Sequence, residues 1–305
     1  MFLVGPGRWW YTRHYRDRTK SSVFFVTGSA SGVAQTKVDL RDRALLWLPL
    51  RGDQPGGVML SWQENPPTVY ADEVSESVVK PMGTFSGERM GVIPGSNMWS
   101  AARLRDRRIA LLSMEEPPGE AWRLMLRLPD GSGGLSETAL PCSDQFSHIL
   151  ATAVDADGRL AVVALSPRLE VVAMLVDLDK PQSSPCRVLS TASESSADAG
   201  GGSPSIVSLT HGFIVAWIRS DGRVRACQIA SLAASPPVID VGEGADIANP
   251  LSQPVNVNED ETLTFAWRTD RGIALRRLPQ ALTAYALFTE LRRTYCDFVR
   301  HLREQ

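Results

Sequence analysis

Gly212-Phe213-Ile214-Val215-Ala216-Trp217 is an apolar run closed by a small residue and a large aromatic one. It is followed by Ser220-Asp221-Gly222-Arg223 and then by the alternating segment Val224-Arg225-Ala226-Cys227-Gln228-Ile229. Asp-Gly between two such segments predicts a β-hairpin with a type I′ turn, whose two central residues both need positive φ. The same phrase recurs along the chain as Val58–Trp62, Ile109–Met114, Leu160–Leu165 and Leu263–Trp267, each ending on a small residue followed by a large apolar one. The small residues stand at 61, 113, 164, 216 and 266, so the spacings are 52, 51, 52 and 50. A period in this range marks a repeat architecture.

The flanks repeat with the runs. A strand-like segment precedes each one (Ala44–Leu50, Met98–Leu104, His148–Val154, Pro204–Leu209, Pro254–Val257). A turn and a further strand follow, as in Thr269-Asp270-Arg271-Gly272 before Ile273–Leu278, and most units then add a fourth strand: Val78–Met82, Glu137–Leu140, Arg187–Ser190 and Val238–Val241. Four antiparallel strands per repeat is the grammar of a β-propeller blade. On these motifs the chain resembles β-propeller repeat proteins, with Gly212–Trp217 similar to the blades of bacterial propellers. The resemblance implies an all-β ring of about six four-stranded blades over residues 1–279. The second strand should carry the densest apolar run because neighbouring blades cover both its faces. At the N-terminus, Phe2–Val4, Trp9–Tyr15 and Ser21–Thr27 read as a partial unit whose first strand is missing, and the last unit runs out after Leu278 with no fourth strand. How the ring closes stays open between a closed and an incomplete form. The Ser-, Ala- and Gly-rich stretch Leu189–Ser205 reads as a loop between blades, since the repeat continues in phase across it.

Composition agrees. The 305 residues include 24 Gly and 20 Pro, which enforce short elements, and are 43% hydrophobic and 22% charged, as in globular proteins. No apolar run approaches the length that spans a bilayer, so no membrane contact is expected. The N-terminus lacks the charged start and apolar stretch of a signal peptide, which sets the expectation of a cytoplasmic protein. Cys142, Cys186, Cys227 and Cys296 form no Cys-x-x-Cys pair and read as free, mostly buried thiols, although an even count permits two disulfides. The four histidines do not flank them at zinc spacing, so no metal or other cofactor is expected.

From Pro279 the pattern changes. Leu282, Tyr285, Phe288, Leu291, Tyr295, Phe298 or Val299, and Leu302 recur every three or four residues, with Glu290, Arg292, Arg293, Asp297, Arg300 and Glu304 between them, which predicts an amphipathic helix over 280–305. It is read either as packed on the propeller or as docking a partner through Tyr285, Phe288, Tyr295 and Phe298.

Chemistry-bearing motifs are sparse. Ser22–Ala34 looks like the cofactor loop of short-chain dehydrogenases, but Ala34 stands for its last glycine, none of the five tyrosines has Lys four positions on, and strands follow where that fold needs a helix. The pair Glu115-Glu116 lies before Pro117-Pro118 in what reads as a loop, where neighbours do not face each other across a substrate. Asp155-x-Asp157-Gly158 reads as a turn lacking the other oxygens of a calcium site, and Arg103, Arg105, Arg107 and Arg108 as a solvated hairpin tip. Arg8, Trp9, Trp10, Arg13, Arg16 and Arg18 interleave aromatics with cations; residues 1–51 carry a net +6 against −8 for the rest. That stretch suits protein subunits or a single-stranded nucleic acid, or a half-buried strand with its aromatics inward. With no catalytic set in view, the expected function is a non-catalytic interaction scaffold in a cytoplasmic multi-subunit assembly. The alternative is a propeller that binds or hydrolyses a glycan or other small molecule at its central channel.

Overall fold

The computed structural model describes residues 2–5, 8–16, 21–29, 31–40, 44–50, 55–64, 66–76, 78–87, 98–116, 119, 121–190, 204–233, 235–247, 255–258, 262–279 and 282. Their strands form six antiparallel sheets in which neighbours in sequence are neighbours in space. Blade 1 is β1 (Phe2–Gly5), β2 (Arg8–Arg16), β3 (Ser21–Ser29) and β4 (Gly32–Leu40). Blade 2 is β5 (Ala44–Pro49), β6 (Gly56–Glu64), β7 (Pro67–Ser75) and β8 (Val79–Ser86). Blade 3 is β9 (Trp99–Arg103), β10 (Ile109–Glu115), β11 (Arg123–Pro129) and β12 (Leu135–Ala139); blade 4 is β13 (His148–Val154), β14 (Leu160–Leu165), β15 (Val171–Val176) and β16 (Cys186–Val188). Blade 5 is β17 (Ser205–Ser208), β18 (Phe213–Ile218), β19 (Val224–Ile229) and β20 (Val238–Gly242), and blade 6 has the three strands β21 (Val255–Val257), β22 (Thr262–Thr269) and β23 (Gly272–Pro279). The chain is a six-bladed β-propeller.

The second strands behave as the repeat requires. Every residue of β10, β14 and β18 is buried. Their side chains divide by parity between two cores. In β14, Leu160, Val162 and Ala164 pack toward blade 3, while Ala161, Val163 and Leu165 pack toward blade 5. Among the described residues five such cores join the five successive blade pairs. The repeated small-then-large pair does not keep one orientation, however. Met114 packs toward the next blade, whereas Trp217 and Trp267 pack toward the preceding one. Both faces of a second strand are inter-blade contacts, so the pair meets a crowded surface either way.

Several expectations are revised. Blade 1 is complete: Phe2–Gly5 is its first strand and Gly32–Leu40 its outer one, paired from Ser29↔Gly32 to Ser21↔Leu40. The Gly/Ser segment after β3 is therefore a hairpin tip, which leaves no place for a cofactor-binding helix. The Asp221-Gly222 turn is not type I′. Gly222 takes φ +77° while Asp221 does not take positive φ, and Gly222 N–H donates to the Arg219 carbonyl. The hairpins at Arg107, Gly158 and Leu169 share this left-handed fourth position. Ser205, Leu189 and Ser190 are buried, which shortens the loop read at Leu189–Ser205. The helix expected over 280–305 lies outside the described residues apart from Leu282, which is buried against blades 5 and 6.

Glu115 is corrected too. It ends β10, and is buried; its carboxylate meets Arg127 of β11 at 2.6 Å. Arg127 is 1% exposed, donates to Ser113 Oγ at 2.7 Å, and lies 4.1 Å over the Phe85 ring of blade 2. Ser113 donates to Glu115 in turn. Glu115 thus neutralises a cation clamped between two blades and is withdrawn from substrate. The thiol reading also changes: Cys142, before blade 4, and Cys186, on β16, are disulfide-bonded, whereas Cys227 is free and burial pushes its thiol up to about 12.

Two measurements check these assignments. Glu115→Ala strands a buried guanidinium and should lower stability by about 3–5 kcal/mol, while Glu115→Ala with Arg127→Met should recover much of the loss; urea midpoints decide. Reduction of Cys142–Cys186 reopens a loop of 44 residues and should remove up to about 4 kcal/mol, read as a Tm lower by several degrees in dithiothreitol.

Candidate ligand-binding site

Blade 1 buries one face and exposes the other. On the buried face Val23 and Phe25 pack against Met59 and Val74 of blade 2, and Trp47 Nε1 donates to Thr12 Oγ1 at 2.8 Å. The pleat sends alternate residues the opposite way. Three cross-strand rows therefore share the outer face: Tyr11–Val26–Gln35, Arg13–Phe24–Lys37 and Tyr15–Ser22–Asp39.

Tyr11, Arg13, Tyr15, Phe24, Val26 and Gln35 line a cavity of about 320 Å³ on this face. Phe24 and Val26 form an apolar floor, while Tyr11 and Tyr15 are 37% and 55% exposed, with Arg13 between them. At the edge Lys37 meets Asp39 at 2.6 Å, and Asp39 accepts a hydrogen bond from Ser22 Oγ at 2.8 Å. In blade 6, Ile273 and Leu275 are 64% and 69% exposed. Aromatic and apolar walls with a few convergent polar groups are the usual make-up of a small-molecule site.

A second polar cluster sits where first strands turn into second strands. Since β9, β13 and β17 run side by side, their hairpins crowd one end of the ring. Asp155 is buried and accepts hydrogen bonds from the backbone N–H groups of Asp157, Arg159 and Gly212 and from Arg159 Nε. It staples blade 4 to blade 5. Asp157 and His211 are exposed, 3.0 Å apart at Oδ2 and Nδ1. The hydrogen bond from His211, with the charges of His211, Arg159 and Arg105, holds the Asp157 carboxyl below its ordinary value despite some desolvation.

The candidate residues of the N-terminal stretch part company. Trp10 is buried at 1% exposure, on the face opposite Tyr11, which fits the half-buried strand reading. Arg13 is exposed in the cavity. Arg8, Trp9 and Arg16 lie on β2; Arg18, Tyr285, Phe288, Tyr295 and Phe298 fall outside the described residues. Tyr11, Tyr15, Phe24, Val26 and Gln35 were absent from the candidate set. The signal for them was the period-2 alternation of β2, which puts Tyr11, Arg13 and Tyr15 on one face. Among the described residues no three His, Cys, Asp or Glu side chains converge as metal ligands, and no helix is long and apolar enough to cross a membrane.

No protein-family model matches the chain, and no characterised protein matches it by sequence. Solved structures do match in fold. A mutant Trypanosoma rangeli sialidase displaying trans-sialidase activity aligns with TM-score 0.51 and 10% identity, over 98% of this chain and 56% of that one. This chain thus spans little more than half of the sialidase. A six-bladed fucose-recognising lectin from Aleuria aurantia aligns with TM-score 0.45 and 12% identity over 92% and 97% of the two chains. An endo-arabinanase from Bacillus licheniformis aligns with TM-score 0.37 and 11% identity over 76% and 94%. The sialidase likeness agrees with the propeller fold. It also stands against the scaffold expectation and favours the reading that the sequence placed second, since the matching solved chain is a sialidase.

His211→Ala removes the main cause that lowers Asp157. Its carboxyl should then titrate closer to the ordinary value near 3.9, read by NMR of the side-chain carboxyl. Because the folded pKa is the depressed one, the interaction is present above the ordinary carboxylate value and fades as pH falls through the folded one.

Proposed function

We propose that the chain is a glycan-binding propeller whose sugar seat is the blade 1 cavity. The observation that carries this reading is the pairing of Tyr11 and Tyr15 over the Phe24–Val26 floor, with Arg13 and Gln35 among them. A sugar ring offers an apolar C–H face to an aromatic wall and a rim of hydroxyls to planar donors and acceptors. Tyrosine serves such contacts at low entropy cost, having an apolar ring and a polar tip. The cavity volume lies at the small end of the range for ligand sites, which suits one or two sugar units. The fold likeness to a sialidase supports a glycan as ligand. Binding is favoured over hydrolysis, since glycoside cleavage takes two carboxylates flanking the bond and the described lining presents rings, a guanidinium and an amide.

The Cys142–Cys186 bond supports a place of work in an oxidising compartment, where such bonds persist, instead of the cytoplasm expected from the sequence.

Titration calorimetry against a panel of neutral and charged oligosaccharides tests the reading. At least one should bind, and Tyr15→Ala should weaken it by about tenfold, the worth of one aromatic contact, without change in Tm. No binding by any saccharide, or equal binding by Tyr15→Ala, overturns it.

A further inference from the structure

The seat has an electrostatic asymmetry that a neutral sugar would leave unused. Several of the described arginines are tied to carboxylates. Arg103 meets Glu73 at 2.6 Å, Arg108 meets Asp106 at 2.6 Å, Arg127 meets Glu115 at 2.6 Å, Arg159 meets Asp155 at 2.7 Å and Arg225 meets Asp240 at 2.8 Å. Arg13 has no hydrogen bond or ion pair among the described residues. The carboxylate in the next row, Asp39, is engaged by Lys37 and Ser22. The described lining of the cavity contains no acidic residue. A guanidinium is therefore held at the centre of a partly apolar cavity, flanked by Tyr11 and Tyr15 above Phe24, with its fork of donors uncommitted.

We infer that the seat is specific for an anionic saccharide, whose carboxylate or sulfate group takes both outer N–H groups of Arg13 while its ring lies against Tyr11 or Tyr15. This inference rests on the glycan-binding reading above. The chemistry follows from the fork: a planar guanidinium matches two oxygens of a carboxylate or sulfate with two parallel hydrogen bonds, which a single sugar hydroxyl cannot do. The apolar floor beside it displaces water and strengthens the pairing over that of an exposed ion pair. Residues 1–51, the segment that includes this blade, carry a net +6 against −8 for the rest, a balance that favours an anion. Gln35, across the floor from Tyr11, is left to serve the uncharged hydroxyls.

The experiment compares three probes on the full chain by calorimetry: a galacturonate trisaccharide, the neutral galactose trisaccharide, and the neutral one carrying sulfate. An anionic probe should bind at least about tenfold more tightly than the neutral one, the usual gain from hydrogen bonds to a charged partner. Arg13→Gln should erase that difference, bringing the anionic probes down to the affinity of the neutral one, while keeping the parent Tm, which a merely misfolded variant would not do. Preference for galacturonate or for the sulfated probe identifies which oxyanion the fork is shaped to hold. Equal binding of neutral and anionic probes, unaffected by Arg13→Gln, refutes the inference while leaving the glycan reading intact; no binding by any of the three, with none elsewhere in the oligosaccharide panel, refutes both. A single-stranded oligonucleotide of matched charge is run alongside. Tighter binding of it through Arg13 overturns the saccharide as ligand in favour of nucleic acid.

Discussion

Each second strand of the propeller is squeezed between two sheets, and everything else in the molecule is arranged around that constraint. A strand buried on both faces must be apolar at successive positions, as β10, β14 and β18 are. Fully burying one such Val, Leu or Ile side chain is worth about 1.5–3 kcal/mol. Five cores of this kind hold the blades in sequence. Polar groups admitted to these interfaces are compensated. Arg127 enters with Glu115, Ser113 and the Phe85 ring around it, and Asp155 enters with four donors turned upon it.

A linear chain of blades has two faces without a sequential neighbour, one on blade 1 and one on blade 6. They look unlike the others. β22 alternates in burial, and β23 is exposed at most positions. The outer face of blade 1 carries Tyr11, Arg13 and Tyr15 where other blades carry valine and leucine. The candidate seat lies on one of these two faces, which no core among the described residues covers. A face that need not be filled by another blade is able to keep an uncommitted guanidinium and half-exposed rings.

Much of this was legible in the residues. Spacings of 50–52 between small residues located the inner strands to within a residue or two, since dense apolar runs follow directly from burial on both faces. The errors came where pairing partners matter more than local pattern. Phe2–Val4 was placed one strand too far out, because a short apolar segment looks alike in first and second strands; the pairing of Gly32–Leu40 beyond β3 tells them apart. Glu115 read as a loop residue because its compensating cation lies 12 positions on, across a hairpin. Cys142 and Cys186 read as thiols since nothing local brings residues 44 apart together.

By itself the sequence determined the number of blades, the order of strands in blades 2 to 6 and, in blades 3 to 5, which are packed on both faces, because these depend on periodicities that each short segment carries in its own composition. Tertiary structure alone decided which cysteines join, which carboxylates are consumed by buried cations, and which arginine stands in the cavity of blade 1. Those outcomes depend on what stands opposite a side chain. Arg13 and Arg127 both lie on strands beside apolar neighbours, yet among the described residues Arg127 meets a carboxylate across its sheet and Arg13 does not. Whether a charge is spent or available is a property of its surroundings in space: among the described residues blade 1 packs on blade 2 through one face, and Arg13 lies on the other.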